Sequence, residues 1–284
     1  MTGVRSQAER LLDQAAAQLR ASGVASPIVD AELLLSHVLG VPRAMLRRAS
    51  VDAPQRAIYL EMVQARAQRV PLQHITGSVG FRYVDVEVGP GVFVPRPETE
   101  LLAGWAIESA ERVLAEGRPP VVVELCAGSG AISLSIVDEV PQALVHAVEL
   151  DPGAHAWAER NLHETGVDLR LGDMADAFGD LDGTVDVVVA NPPYIPLDAW
   201  ESVAPEARDH DPALALWSGD DGLDAMRVLE GVAWRLLRPG GVVGAEHADA
   251  QGDSAPAVFT DRWSQVRDHH DLAGRPRYVT ALRP

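Results

Sequence analysis

Five short apolar runs, separated by helical stretches and turns, constrain this chain more than any other feature. They are Val121–Leu125, Leu144–Leu150, Val167–Leu171, Val185–Ala190 and Val242–Glu246. Helical spacing covers Ala131–Val140, a segment opened by Asp151-Pro152 and running to about Thr165, and Leu223–Leu237, which Pro239-Gly240-Gly241 ends. Strands bridged by helices imply a parallel sheet with helices on both faces. Ser264–Arg267 and Tyr278–Leu282 supply two more strands with no long helix between them, so an antiparallel edge is expected. The expected fold is therefore α/β and Rossmann-like, on a seven-stranded, mostly parallel sheet.

The chain ahead of this pattern reads differently. Val4, Ala8, Leu11, Leu12, Ala15 and Leu19 share a helix face that Gly23 closes. Ser26-Pro27 starts a second helix, with Ile28, Ala31, Leu35, Val38 and Leu39 inward. Pro54 opens a third, with Ile58, Met62 and Ala65 inward. Around Phe81–Val88 the period falls to two, Gly89-Pro90-Gly91 signals a turn, and Val92-Phe93-Val94 resumes as strand. The expected organisation is a helical recognition domain over residues 1–72, a β-hairpin linker over 73–95 and the α/β domain over 96–284.

Charge narrows the partners. The formal net charge is −17, and all the cations are arginine, a pattern that fits a genomic compositional bias. An acidic body disfavours nucleic acid unless a local basic patch overrides it. One cysteine, Cys126, excludes a disulfide framework and a cysteine-based zinc site. The opening residues lack the apolar core of a signal peptide, and no apolar run approaches the length of a bilayer span, so a cytoplasmic location without membrane attachment is expected.

Ligands of open α/β sheets bind at the carboxyl ends of the strands. The first strand ends Glu124-Leu125-Cys126-Ala127-Gly128-Ser129-Gly130 and enters a helix. The turn lacks the Gly-Lys-Ser/Thr ending of a P-loop and is not a clean Gly-x-Gly-x-x-Gly; a tight turn without ligand is the alternative. Glu149 ends the second strand about 20 residues on, where an acid can accept from ribose hydroxyls. The third strand ends Gly172-Asp173-Met174. Three acids at consecutive strand ends suit a ligand with an ammonium, ribose hydroxyls and an adenine amine. They suit a pyrophosphate poorly, because they repel it. That profile is S-adenosylmethionine rather than a nicotinamide dinucleotide.

The fourth strand ends Asn191-Pro192-Pro193-Tyr194. Two prolines stiffen the backbone and remove two N–H donors, which leaves carbonyls as the dominant polar groups. Asn191 adds a side-chain carbonyl, so the segment can grip both hydrogens of an NH2 group, and Tyr194 offers a flat face to a planar amide or base. A proline turn is the plainer alternative.

This tetrapeptide resembles the signature of methyltransferases acting on planar nitrogen. Phe93-Val94-Pro95-Arg96-Pro97-Glu98-Thr99-Glu100 narrows the resemblance to the HemK/PrmC family, the N5-glutamine methyltransferases of peptide chain release factors. Asp211-Pro212, Ala215-Leu216, Gly219, Gly222-Leu223-Asp224, His247, Gln251-Gly252 and Asp271–Arg277 agree with it, so the resemblance spans nearly the whole chain.

The resemblance implies methyl transfer from S-adenosylmethionine, with S-adenosylhomocysteine as product, to the glutamine of a Gly-Gly-Gln loop in class I release factors. It implies that Asn191, Pro192 and Tyr194 are catalytic and that Phe93, Asn191, Pro192, Pro193 and Tyr194 bind substrate. Cofactor contacts fall to Glu124, Cys126, Ala127, Gly128, Ser129, Gly130, Glu149, Asp173, Met174 and Asn191, with no metal. Arg96 and Glu98 are expected to hold the interdomain joint by ion pairing.

Cys126, Ala225 and Ala248 stand where the family usually has glycine. Cys126 must take negative φ or accept strain, and it reads as packing rather than redox chemistry. His269-His270 lacks a third metal ligand at regular spacing, and Trp105, Trp157 and Trp234 read as core. His247 reads as structural. The main alternative function is methylation of an exocyclic amine of DNA or RNA, adenine N6 or guanine N2. It leaves the Phe93–Glu100 match unexplained and must work against the net charge.

Overall fold

The computed structural model describes residues 6–284, so Val4 lies outside the described residues. The chain divides into two compact units. The smaller contains the residues up to Ser78 together with Pro205–His210; the larger contains Val79–Ala204 and Asp211–Pro284.

In the smaller unit α1 (Gln7–Ala21), α2 (Pro27–Leu39), α3 (Ala53–Ala67) and α4 (Leu72–Thr76) follow one another. Ser6 and Glu9 form a reciprocal capping box on α1, and Asp52 and Gln55 do the same for α3. Ser26 precedes α2 without a side-chain cap. Ala8, Leu11, Ala15 and Leu19 pack on Ala31, Leu34, Leu35, Tyr59 and Val63. The expected face of α3 is rotated by one position, whereas α2 keeps Ala31 and Leu35 buried and turns out Ile28. Ile28 is 55% exposed and Ile58 48% exposed. Tyr59 and Val63 turn inward instead, and the Tyr59 hydroxyl donates to the Ala31 carbonyl at 3.2 Å. Buried Arg66 pairs with Asp30 at 2.7 Å and with Glu206 at 2.8 Å, and Arg69 also holds Glu206, which fastens Pro205–His210 to this unit.

The larger unit opens with a hairpin of β1 (Ser78–Phe81) and β2 (Val84–Glu87). Its turn is Arg82-Tyr83, not Gly89–Gly91, and no strand forms over 92–94. Arg82 accepts a φ of +52° because Glu139 grips its guanidinium at 2.6 and 2.8 Å. Gly89 serves another purpose: a Cβ there would lie 2.5 Å from the Trp157 ring. The hairpin is not a free linker, since Phe81, Val86, Val88 and Val92 are buried with Leu102 and Ala106.

Next come α5 (Thr99–Ala115), β3 (Val121–Leu125), α6 (Ala131–Glu139), β4 (Leu144–Glu149), α7 (Pro152–Asn161), β5 (Asp168–Leu171) and β6 (Val185–Ala190). After them run α8 (Asp224–Leu236), β7 (Leu237–Glu246), β8 (Ser264–His270) and β9 (Pro276–Leu282). The seven-stranded sheet has the order β5-β4-β3-β6-β7-β9-β8. β3 through β7 are parallel, and β9 runs antiparallel to both β7 and β8, as the sequence led us to expect. Alternation along the strands feeds two cores. Val122, Val187 and Val189 face α5 and α6, while Val123, Leu125 and Val188 face α8. Trp105, Trp157 and Trp234 are half-buried at the edges of these layers rather than central.

Candidate active site

The strand order reverses between β3 and β6, and a cavity of about 480 Å³ opens at their carboxyl ends. That is where an open α/β sheet leaves a crevice, and the volume suits a cofactor-sized molecule. Phe93, Glu124, Cys126, Ala127, Gly128, Ser129, Glu149, Asp173, Met174, Asn191, Pro193 and Tyr194 all line it. Gly130 and Pro192 do not; both are buried, and Gly130 sits behind the turn at φ +78°, facing Leu162.

The acids are held in place by backbone. Glu149 Oε2 accepts from Gly128 N at 2.7 Å and Oε1 from Asp151 N at 2.8 Å, so the carboxylate faces the cavity at a fixed angle. Glu124 Oε2 accepts from both the backbone and the hydroxyl of Ser133 in the first turn of α6. Burial raises its pKa to about 8, and Ser133 only partly offsets this. Asp173 Oδ1 accepts from Ala175 N at 2.9 Å.

Cys126 adopts φ +59°, so the glycine usual at this position serves a left-handed backbone that cysteine must strain to copy. Its Sγ lies 3.6 Å from Met174 Sδ, and burial pushes the thiol pKa up, which fits packing rather than reactivity. The other two replacements carry no strain: Ala225 lies within α8, and Ala248 has φ −66°.

At the end of β6, Asn191 Nδ2 donates to Thr99 Oγ1 at 3.2 Å. The Thr99 hydroxyl lies 2.7 Å from Glu246 Oε2, and the Tyr194 hydroxyl donates to Glu246 Oε1 at 3.1 Å. Burial raises the Glu246 pKa to about 7. It also raises that of Tyr194, with Glu246 adding to the effect. Gln251 Nε2 donates to the carbonyls of Tyr194 and Asp221 at 3.1 Å each. Gly222 has to be glycine here, since a Cβ would stand 2.3 Å from the Tyr194 carbonyl oxygen.

Several of these residues escaped sequence reasoning. Glu246 ends the fifth parallel strand, so the strand-end rule that found Glu124, Glu149 and Asp173 points to it as well. His247 beside it is fully buried and bonds Asp268 and the Ala248 carbonyl, a structural role as expected. The wall from Pro212 to Gly219 joins the cavity through Ile195, which bonds Leu216 and Ser218. Arg96 does not pair with Glu98. It pairs with buried Asp211 at 2.8 Å and covers the Phe93 ring at 4.8 Å, all within the larger unit. Half-buried His269 stacks on Tyr278 at 4.6 Å, and His270 is exposed. Among the described residues no group of three His, Cys, Asp or Glu is placed to hold a metal. No helix among them is long and apolar enough to cross a membrane.

Fold and cavity together define a methyltransferase, and residues 108–204 match the methyltransferase small domain. Residues 10–77 match the PrmC N-terminal domain. A release factor glutamine methyltransferase of Streptomyces coelicolor is 55% identical over 95% of this chain and 96% of its own length. One from Mycolicibacterium smegmatis is 44% identical over 96% of each. The chain belongs to the release factor glutamine methyltransferase family, HemK/PrmC. At 40% identity over 94% of this chain and 92% of its own, a Streptomyces pristinaespiralis relative is a 4-amino-L-phenylalanine/4-methylamino-L-phenylalanine methyltransferase.

Proposed function

We propose that this protein methylates the side-chain amide nitrogen of the glutamine in the Gly-Gly-Gln loop of class I peptide chain release factors. The carrying observation is that Asn191, Pro193 and Tyr194 share one cavity with three acids fixed at neighbouring strand ends. S-adenosylmethionine supplies an electrophilic methyl group when bound, and the donor set fits it. Glu149 keeps lone pairs for ribose hydroxyls. Glu124 would hold the ammonium, while Asp173 and Met174 would border the adenine. The turn from Cys126 to Ser129 would pack under the methionine part, and Gly130 shapes that turn from behind.

An amide nitrogen is a poor nucleophile because its lone pair is delocalised into the carbonyl. Asn191 Oδ1 and the Pro192 carbonyl hold its two N–H bonds and turn the nitrogen towards the methyl. Both hydrogen bonds strengthen as the nitrogen gains positive charge, which stabilises the transition state more than the ground state. Positioning supplies most of the rest, since well-oriented pairs gain about 7–11 kcal/mol. Tyr194 and Phe93 flank the planar amide. No general base is needed before attack, and the proton leaves to water afterwards.

The test is mass spectrometry of a release factor incubated with this protein and the cofactor. One added methyl on the Gly-Gly-Gln glutamine is expected, with none in Asn191→Ala despite retained cofactor binding. Parallel incubations with 4-amino-L-phenylalanine and with oligonucleotides cover the other amines the same hook could grip. Methylation of either in place of the release factor overturns the assignment.

A further inference from the structure

A side-chain amide fits its site either way round, and only its partners decide which end faces a ligand. Asn191 bonds Thr99 Oγ1. Thr99 is 3% exposed at the start of α5, and Glu246 is 1% exposed at the end of β7. The two are joined by a 2.7 Å hydrogen bond, and the second carboxylate oxygen takes the Tyr194 hydroxyl.

A hydroxyl has one proton to give. An ionised carboxylate only accepts, so Thr99 must donate to Glu246. What Thr99 then offers Asn191 is a lone pair, and only the NH2 end of the amide can use it. Oδ1 is left for the cavity that Asn191 lines. We propose that Glu246, acting through Thr99, fixes the polarity of the Asn191 amide so that its oxygen meets the substrate N–H, while the same carboxylate anchors Tyr194. Thr99 and Glu246 are positioning residues that do not touch the reacting atoms. The inference deepens the function proposed above and rests on it, because only a substrate that donates N–H needs Oδ1 outward.

Three variants test this. Thr99→Val keeps the shape and removes the relay, Thr99→Ser keeps the hydroxyl, and Glu246→Gln lets either amide end face Thr99. In Thr99→Val, kcat on the release factor is expected to fall on the order of 10²-fold, the size seen when one preorganised hydrogen bond is lost. KM and cofactor affinity should change by less than about threefold, since that hydrogen bond gains most of its strength in the transition state. Thr99→Ser should recover kcat to within about fivefold, and Glu246→Gln should fall about tenfold.

A second readout needs no substrate. The side-chain amide resonance of Asn191, assigned by its loss in Asn191→Ala, should show exchange protection in the wild type and in Thr99→Ser but not in Thr99→Val. Wild-type kcat in Thr99→Val, or equal protection of the amide in the valine and serine variants, overturns the inference. A wild-type enzyme that leaves the release factor unmodified sinks the substrate assignment instead, and the resonance comparison still decides the polarity.

Discussion

Glu149 and Gly128 are joined by a 2.7 Å hydrogen bond from the loop amide to the carboxylate. This bond ties the end of β4 to the glycine turn after β3, so the acid proposed to bind ribose and the turn proposed to pack against the methionine part are joined directly. In Glu149→Gln the NH2 end must face either Gly128 N–H or Asp151 N–H, donor against donor. A hydrogen bond to a charged group contributes about 1.5–3 kcal/mol, so S-adenosylmethionine should bind about 10- to 100-fold more weakly. Calorimetric titration checks this, and unchanged affinity would remove Glu149 from the cofactor site.

Cys126 at φ +59° carries the strain of a Cβ in a left-handed backbone, which costs roughly 1–2 kcal/mol. Cys126→Ala keeps that strain and loses the contact with Met174, whereas Cys126→Gly removes the strain. The alanine variant should therefore be less stable than the glycine variant by about 1 kcal/mol. Urea unfolding of the pair decides it, and an alanine variant as stable as the glycine one refutes the strain.

Glu246 links the site to pH. Its surroundings include Tyr194, Arg277 and Glu98, and burial outweighs the hydrogen bonds that would lower its pKa, placing it at about 7. Below that pH the protonated carboxyl can donate to Thr99, and the Asn191 amide loses its enforced direction. Turnover should rise as pH increases through about 7 and then level off. The profile is best measured at saturating cofactor, so that Glu124 does not add its own step. The acidic limb should disappear in Glu246→Gln, and a limb that persists there assigns it to another group.

Stability should run the other way. Burial raises Glu124 to about 8, Glu246 to about 7 and Asp211 to about 6. Between the ordinary carboxylate range and these values the native state holds protons that the unfolded chain has released. Stability contributed by these groups is therefore present at low pH and lost as pH rises through that window. Each unit corresponds to about 1.4 kcal/mol, so the share lost by Glu124 and Glu246 between about pH 6 and about pH 8 is of the order of a few kcal/mol. Asp168 and Glu206, lowered by arginine partners, act in the opposite sense, but only on acidification below their unfolded values. The cofactor-free protein should melt lower at about pH 8.5 than at about pH 6, and less so in Glu124→Gln. A melting temperature that climbs across that interval contradicts the assignment.

The strands of the large sheet and the motif after β6 were legible in the chain. β6 runs from Val185 to Ala190 as its apolar composition predicts, and Asn191-Pro192-Pro193-Tyr194 follows it. Run length, period-two alternation and turn residues act between near neighbours, so the sequence alone determined the strands of the large sheet, its class and the acids Glu124, Glu149 and Asp173 at its strand ends. Three-dimensional packing decided what lies between distant segments. Glu139 holds Arg82 from 57 residues away, which moved the hairpin turn off Gly89–Gly91. A helix rotation of one position, about 100°, chose Tyr59 over Ile58 for the small core. Thr99 and Glu246 stand 147 residues apart and meet only because α5 packs against β6 and β7. A hydrogen-bond relay exists only once the chain has brought its members within about 3 Å, and no local pattern encodes that meeting.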